Sequence, residues 1–288
     1  MDSVLEPKEL FMKMIEADSA TSYEALFAFE RAGRLSTYRI EHRAGESPVQ
    51  NLSALNLSTS AQALKTNCSD SNQGYIDIEN LANVYNFYRP EDSLVAGRQA
   101  NELLLLPVDA YRYGYGFSLD SETFLTLRRV ILTPQREAIE RYEFVDIDYL
   151  ETLDNNTIEA IENTAVDCLE PEELSNEQTE PSQWTALRLP DGFQILSAQH
   201  DKESMQEELL ITDGLTMVSV NLESVETPDF PQIDTNIGAT NIILRYIASR
   251  DKLYMATLVG EIPQLSLEFI ASGLNLSANT NDIEPLVN

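Results

Sequence analysis

Histidine and cysteine are the side chains best suited to chemistry near neutral pH, and this chain has two of each: His42, His200, Cys68 and Cys168. A histidine can act as a general base because its pKa lies at about 6.5. Neither histidine belongs to a His-Glu-x-x-His pair, and no Gly-x-Ser-x-Gly elbow, Walker loop or Cys-x-x-Cys occurs. The cysteine spacing is neither a zinc pattern nor a redox motif, although a disulfide is allowed if the compartment is oxidising. With 48 Asp and Glu in the chain, carboxylate pairs are numerous, and no single pair points to acid–base catalysis. The sequence predicts a protein that is not an enzyme, with no catalytic residue, no metal site and no cofactor.

What recurs instead is aromatic side chains at a period of two. Tyr23, Phe27 and Phe29 alternate with Glu24, Leu26, Ala28 and Glu30; after a turn at Arg31–Arg34, Tyr38 and Ile40 alternate with Thr37, Arg39 and Glu41. That is a hairpin signal. Further on, Tyr113, Tyr115 and Phe117 alternate with Gly114 and Gly116. This Gly-x-Gly lacks the third glycine and the following helix that phosphate binding requires, so the aromatics mark a pleated face rather than a nucleotide loop. In a bent antiparallel sheet one face of each strand looks inward. Tyr23, Phe27, Phe29, Tyr38, Ile40, Tyr113, Tyr115 and Phe117 are therefore candidates for an apolar groove; the alternative is that they are ordinary core.

These stripes need elements to carry them. Pro7 and the apolar face Leu10, Phe11, Met14 and Ile15 predict a helix over 7–18. Residues 46–73, rich in Ser, Asn, Thr and Ala, fit no single element. Strands are predicted at 75–88, 95–106, 111–119, 124–132 and 138–148, with one evident helix among them. Residues 142–187 hold no Lys or Arg and 13 Asp or Glu, which reads as an exposed acidic connector with a short helix near 158–166. Beyond it, strands are predicted at 193–198, 207–211, 215–222, 240–247 and 253–259, then a helix from Ile262, with Pro263 at its start and Gly273 near its end. The organisation is a domain over 1–150, a connector over 151–181, a small α+β domain over 182–276 and a tail over 277–288. The fold class is mainly β with α+β character: a half-open antiparallel sheet under helical cover, followed by a smaller sheet with one helix.

The net charge of −29 disfavours nucleic acid and anionic membrane surfaces and suits a basic partner. No stretch approaches the roughly 20 apolar residues of a membrane helix. The first residues, Met1 to Val4, lack the basic and apolar regions of a signal peptide, which reads as cytoplasmic unless the leader is missing from the sequence.

Several segments carry a resemblance. Tyr23 to Gly33 followed by Ser36 to Ile40 is similar to the first hairpin of the MucB/RseB family of periplasmic regulators. Tyr111 to Tyr115, running through Leu119-Asp120 to Leu127, resembles that family's strand pair with a Leu-Asp turn, and Glu140 to Ile147 its closing strand. Trp184, Leu189-Pro190-x-Gly192-Phe193, Asp213-Gly214-Leu215 and Val218-Ser219-Val220 resemble the opening of its second domain. Gly238 to Asn241 and Val259 to Pro263 resemble its last strands and helix. The matches run in order over about residues 20–275. The resemblance implies an N-terminal domain like the lipoprotein carrier LolA, a smaller C-terminal domain and a periplasmic location, with the signal peptide absent from this sequence. It implies that the protein binds the periplasmic domain of an RseA/MucA-type anti-sigma factor and shields it from proteolysis. Lipid, lipopolysaccharide or lipoprotein acyl chains are the implied signal; a plain LolA-type lipid carrier is the alternative, and a homodimer is left open. The family's Gly-Pro-Arg stretch after the first hairpin is missing here, where residues 46–73 stand. Some members have a cysteine where this chain has Ala100, which leaves any pairing of Cys68 open.

Overall fold

The computed structural model describes residues 5–44, 49–54, 64–66, 77–150, 179–182, 184–186, 188–202, 206–249 and 252–276. The chain divides into two compact units, Met1–Glu170 together with Ile237–Ala239, and Pro171–Asn236 together with Thr240–Asn288. Cys68, Cys168, most of the acidic connector and the tail lie outside the described residues.

The first unit begins with α1 (Pro7–Ala20). Proline at its first turn loses nothing, since that N–H has no intrahelical partner. Leu10, Phe11 and Ala17 are its buried residues, at helical spacing. The hairpin follows as β1 (Tyr23–Arg31) and β2 (Arg34–Arg43), then β3 (Val49–Ala54) and β4 (Leu64–Thr66). These last two strands fall in the segment that the sequence left unplaced. Next come α2 (Ile78–Val84), β5 (Tyr85–Tyr88), β6 (Ser93–Val95), β7 (Arg98–Pro107), β8 (Gly114–Asp120), β9 (Thr126–Leu132) and β10 (Ala138–Tyr149). The sheet order is β4-β3-β2-β1-β10-β9-β8-β7-β5, with β6 paired to β7. Every pairing described in it is antiparallel. The order does not return on itself among the described strands, so the sheet is open, as the sequence reading expects.

Three sequence expectations need correction here. The strand expected over 75–88 is a helix followed by a strand, so among the described residues two helices rather than one accompany this sheet. The Asp77 carboxylate accepts hydrogen bonds from the amides of Glu79 (3.0 Å) and Asn80 (3.2 Å), an N-cap that starts α2 and outweighs the aromatic run behind it. The strand expected over 95–106 is broken by a tight turn. Ala96 and Gly97 both have positive φ (51° and 72°), the geometry of a two-residue hairpin loop. Finally β8 starts at Gly114, which leaves Tyr113 before the strand rather than in it.

The second unit contains a sheet of order β11-β13-β14-β15-β18-β17-β16. Its strands are β11 (Thr179–Pro181), β13 (Gln194–Asp201), β14 (Gln206–Thr212), β15 (Met217–Val225), β16 (Ile233–Ile237), β17 (Thr240–Ser249) and β18 (Lys252–Gly260). A two-stranded ribbon pairs β12 (Trp184–Ala186) with β19 (Leu274–Leu276). The helix α3 (Gln264–Gly273) packs on one face. Leu209, Ile211, Val218, Val220, Ile243 and Leu258 of the sheet join Leu267 and Ile270 of the helix in one core. On β17 the Arg245 guanidinium donates to the carboxylates of Glu268 on α3 and Asp234 on β16 and to the Ile233 carbonyl. It thereby ties the helix and the edge strand to β17. The sequence reading missed β16, because all five of its residues are exposed and it has no buried period to read.

Candidate ligand-binding face

Cross-strand register decides which side chains share a face, because successive residues of a strand point to opposite sides. Phe29 lies opposite Ser36 on β2 and Tyr142 on β10. Tyr142 lies opposite Arg129 on β9, Arg129 opposite Phe117 on β8, and Phe117 opposite Leu103 on β7. One row thus crosses six strands on a single face. One step along, Phe27 lies between Tyr38 and Phe144. Ala25 lies between Ile40 and Ile147, and Tyr23 between His42 and Tyr149. The two aromatic stripes separated by some 90 residues of sequence are therefore on the same side of one sheet.

The face is not uniform. Tyr115 stacks on Phe117 with ring centres 6.1 Å apart and meets Tyr85 at 6.4 Å, and these three are buried. Tyr113, just before β8, is buried too. Helix α1 covers this side, with Phe11 edge-on to Phe87 at 5.6 Å. At the hairpin end Phe27, Phe29, Tyr38, Ile40 and Tyr142 are only half-buried. Phe27 stacks on Tyr38 at 5.2 Å, and Phe144, buried on its other side, touches Phe27 and Tyr142 at 6.2 and 6.1 Å and Tyr23 at 5.5 Å. The eight residues picked from sequence therefore separate into two sets. Tyr23, Tyr113, Tyr115 and Phe117 are buried; Phe27, Phe29, Tyr38 and Ile40 form a half-covered aromatic strip.

Sequence reasoning did not place Tyr142, Phe144, Arg129 or His42 on this face. Tyr142 and Phe144 stand at period two on β10, the signal already used for β1, and that would have found them. Arg129 and His42 had no such signal, because a charged or polar residue on an apolar face looks like a break in the pattern. The Arg129 guanidinium lies over the Tyr115 ring, 5.3 Å from its centre, a cation–π contact that keeps a positive group on the aromatic face.

The opposite edge of the strip is held by charge. Asp120, buried, accepts from Arg98 and from the amides of Glu122 (2.9 Å) and Thr123 (3.0 Å). Burial alone would raise its pKa, but these donors outweigh burial and hold the carboxyl below its usual value. The Arg98 guanidinium also lies 4.8 Å from the centre of the Tyr149 ring, whose hydroxyl is pushed up to about 12, chiefly by burial. A cavity of about 540 Å³ beside the hairpin is lined by Ala28, Glu30, Leu35, the Ala96–Gly97 turn, Arg141, Glu143, Phe144 and Val145. None of the eight predicted groove residues lines it. Among the described residues no cluster of His, Cys, Asp and Glu could hold a metal ion.

The sequence model of the MucB/RseB N-terminal domain matches residues 57–166, and that of the MucB/RseB C-terminal domain matches residues 178–275. The chain belongs to the MucB/RseB family. It is 25% identical over 287 residues to the sigma factor AlgU regulatory protein MucB of Pseudomonas aeruginosa, covering 92% of this chain and 90% of that protein. It is 25% identical over 193 residues to the sigma-E factor regulatory protein RseB of Haemophilus influenzae, covering 65% of this chain and 58% of that one. Its fold is that of the Pseudomonas aeruginosa MucB solved as a MucA/MucB complex, with a TM-score of 0.76 at 23% identity over 96% of this chain and all of that one. By name, then, its MucB/RseB relatives are regulators of sigma factors rather than enzymes.

Proposed function

We propose that this chain is a periplasmic negative regulator of a sigma-E-type factor. It binds the periplasmic domain of an RseA/MucA-type anti-sigma factor and shields it from proteolysis, and an acyl-bearing ligand on the half-covered aromatic strip is the releasing signal. Membership of a family of sigma-factor regulators across both units carries this reading, and the net charge of −29 suits a basic partner segment. We assign lipid sensing to residues 1–150 and partner binding to 182–276, joined by the acidic connector 151–181. The groove is assigned to Tyr23, Phe27, Phe29, Tyr38, Ile40, Tyr113, Tyr115 and Phe117, with the half-buried members at its mouth.

An acyl chain gains about 0.8 kcal/mol per CH₂ buried in such a groove, so about ten buried methylenes supply the roughly 8 kcal/mol of micromolar binding, and a long-chain lipid is the class that carries them. Ligand binding releases the partner only if the released state binds the ligand better, and the coupling is then reciprocal. Calorimetry with an anti-sigma periplasmic domain of this type should give saturable binding, weakened when a long-chain fatty acid is present. Phe29→Trp should weaken the fatty acid while leaving the thermal midpoint nearly unchanged, because a half-exposed position tolerates added volume. A clear loss of stability with unchanged fatty-acid binding would make Phe29 core and remove it from the groove. Bound lipid with no affinity for the anti-sigma domain would instead favour a LolA-type carrier.

A further inference from the structure

We propose that His42 is an acid-operated latch that holds the last turn of α1 over the aromatic face. The inference deepens the proposed function and rests on reading that face as the ligand site.

His42 is fully buried on β2, stacked on Tyr23 with ring centres 5.0 Å apart. Its Nε2 lies 2.9 Å from the backbone carbonyl oxygen of Asp18, in the last turn of α1. A carbonyl only accepts, so Nε2 carries the proton and Nδ1 of the neutral ring is a bare acceptor. Nδ1 is buried and meets no hydrogen-bond partner among the described residues. A second proton on this ring would therefore place a donor and a positive charge where nothing receives them. The neighbours decide whether anything compensates. From α1 the Asp18 carboxylate and the Asp18 carbonyl favour the charged ring. From β1 Tyr23 supplies no charge, because burial drives its hydroxyl pKa far upward. From β3 the residue in register is Gln50, which does not titrate. Burial outweighs the pull of Asp18, and the net direction is downward from the ordinary histidine value.

The sign follows from linkage. With the folded pKa below the unfolded value of about 6.5, the closed latch contributes its full stability above that value. The contribution is lost as pH falls toward the folded pKa. Above the window the turn at Asp18 is pinned to β2; below it, His42 charges most easily by leaving its site, which frees the end of α1 and widens the uncovered strip. A sensor outside the cytoplasmic membrane would thereby couple external acidity to access of an apolar ligand.

Hydrogen exchange tests the latch without any ligand. In the wild-type chain, amides of residues 15–20, corrected for intrinsic rates, should exchange roughly tenfold faster at about pH 5 than at about pH 7.5, while strands of the second unit stay protected. His42→Gln keeps an N–H donor toward the Asp18 carbonyl and does not titrate, so its α1 exchange should be flat with pH. Equal protection of α1 in the wild type at both values overturns the latch, as does a His42→Gln chain that loosens with acid like the wild type. Should that variant fail to fold, a proton titration of the wild type decides: the His42 Cε1–H and the amides of residues 15–20 must titrate together, and separate midpoints refute the coupling. A fluorescent fatty acid added at both pH values separates the two claims. Tighter binding in acid supports both. An α1 that opens with no fatty acid bound at either pH leaves the latch standing and removes the reading of the face as an acyl site.

Discussion

Phe144→Ala is expected to cost the first unit about 3–5 kcal/mol, enough to consume a large part of a typical domain's stability. Phe144 is 5% exposed and its ring meets those of Tyr23, Phe27 and Tyr142. Removing it leaves a void beside the half-covered strip, and its ring neighbours on β1 and β10 cannot collapse into the gap without breaking that register. Phe27→Ala, at the half-buried position on β1 opposite Phe144, should cost clearly less and act mainly on acyl-ligand binding. Urea unfolding of the two variants, followed by fluorescence of an acyl probe, measures both effects. If Phe27→Ala proves as destabilising as Phe144→Ala, the strip is core, and the groove must be sought elsewhere.

Glu102→Ala should destabilise the same unit by about 2–4 kcal/mol through a different mechanism. On the reverse side of the sheet, one Glu102 oxygen accepts from Ser93 (2.5 Å, β6), Ser118 (2.6 Å, β8) and Arg128 (2.9 Å, β9). A single carboxylate on β7 thus ties four strands together. Glu102 and Arg128 are 16% and 23% exposed, so water screens part of the charge left behind, and the cost falls short of that of a fully buried ion. Glu102→Leu combined with Arg128→Met removes both charges and should recover part of the loss, since no unpaired ion remains. A double variant as unstable as the sum of its single variants would show that the pair contributes no coupling.

The fold was legible in the sequence wherever alternation was clean. The β1–β2 hairpin, β9, β10 and most strands of the second unit follow their period-two patterns, and α3 its proline start and apolar stripe. The failures have local physical causes. The Asp77 cap converts an aromatic-rich run into α2. Ala96, a residue seldom found at positive φ, hides the turn between β6 and β7. The edge strand β16 has no buried face. Of the candidate site, both aromatic stripes were legible, but their joining was not. Only the register through Tyr142 and Arg129 places β1 and β8 on one face, and long-range register is not written in local spacing. His42 was weighed for catalysis alone, although its neighbours make it a packed, backbone-bonded side chain.

A chain that shields an anti-sigma segment until an apolar signal arrives must protect that segment from cleavage. The most direct measurement is proteolysis of an RseA/MucA-type periplasmic domain by a periplasmic protease that cleaves it, with and without the full chain. Stoichiometric chain should slow cleavage by at least the roughly tenfold that a 1.4 kcal/mol bias gives, and a long-chain fatty acid should restore the rate. Cleavage at the same rate with the chain present, under conditions where the chain is folded, would contradict it.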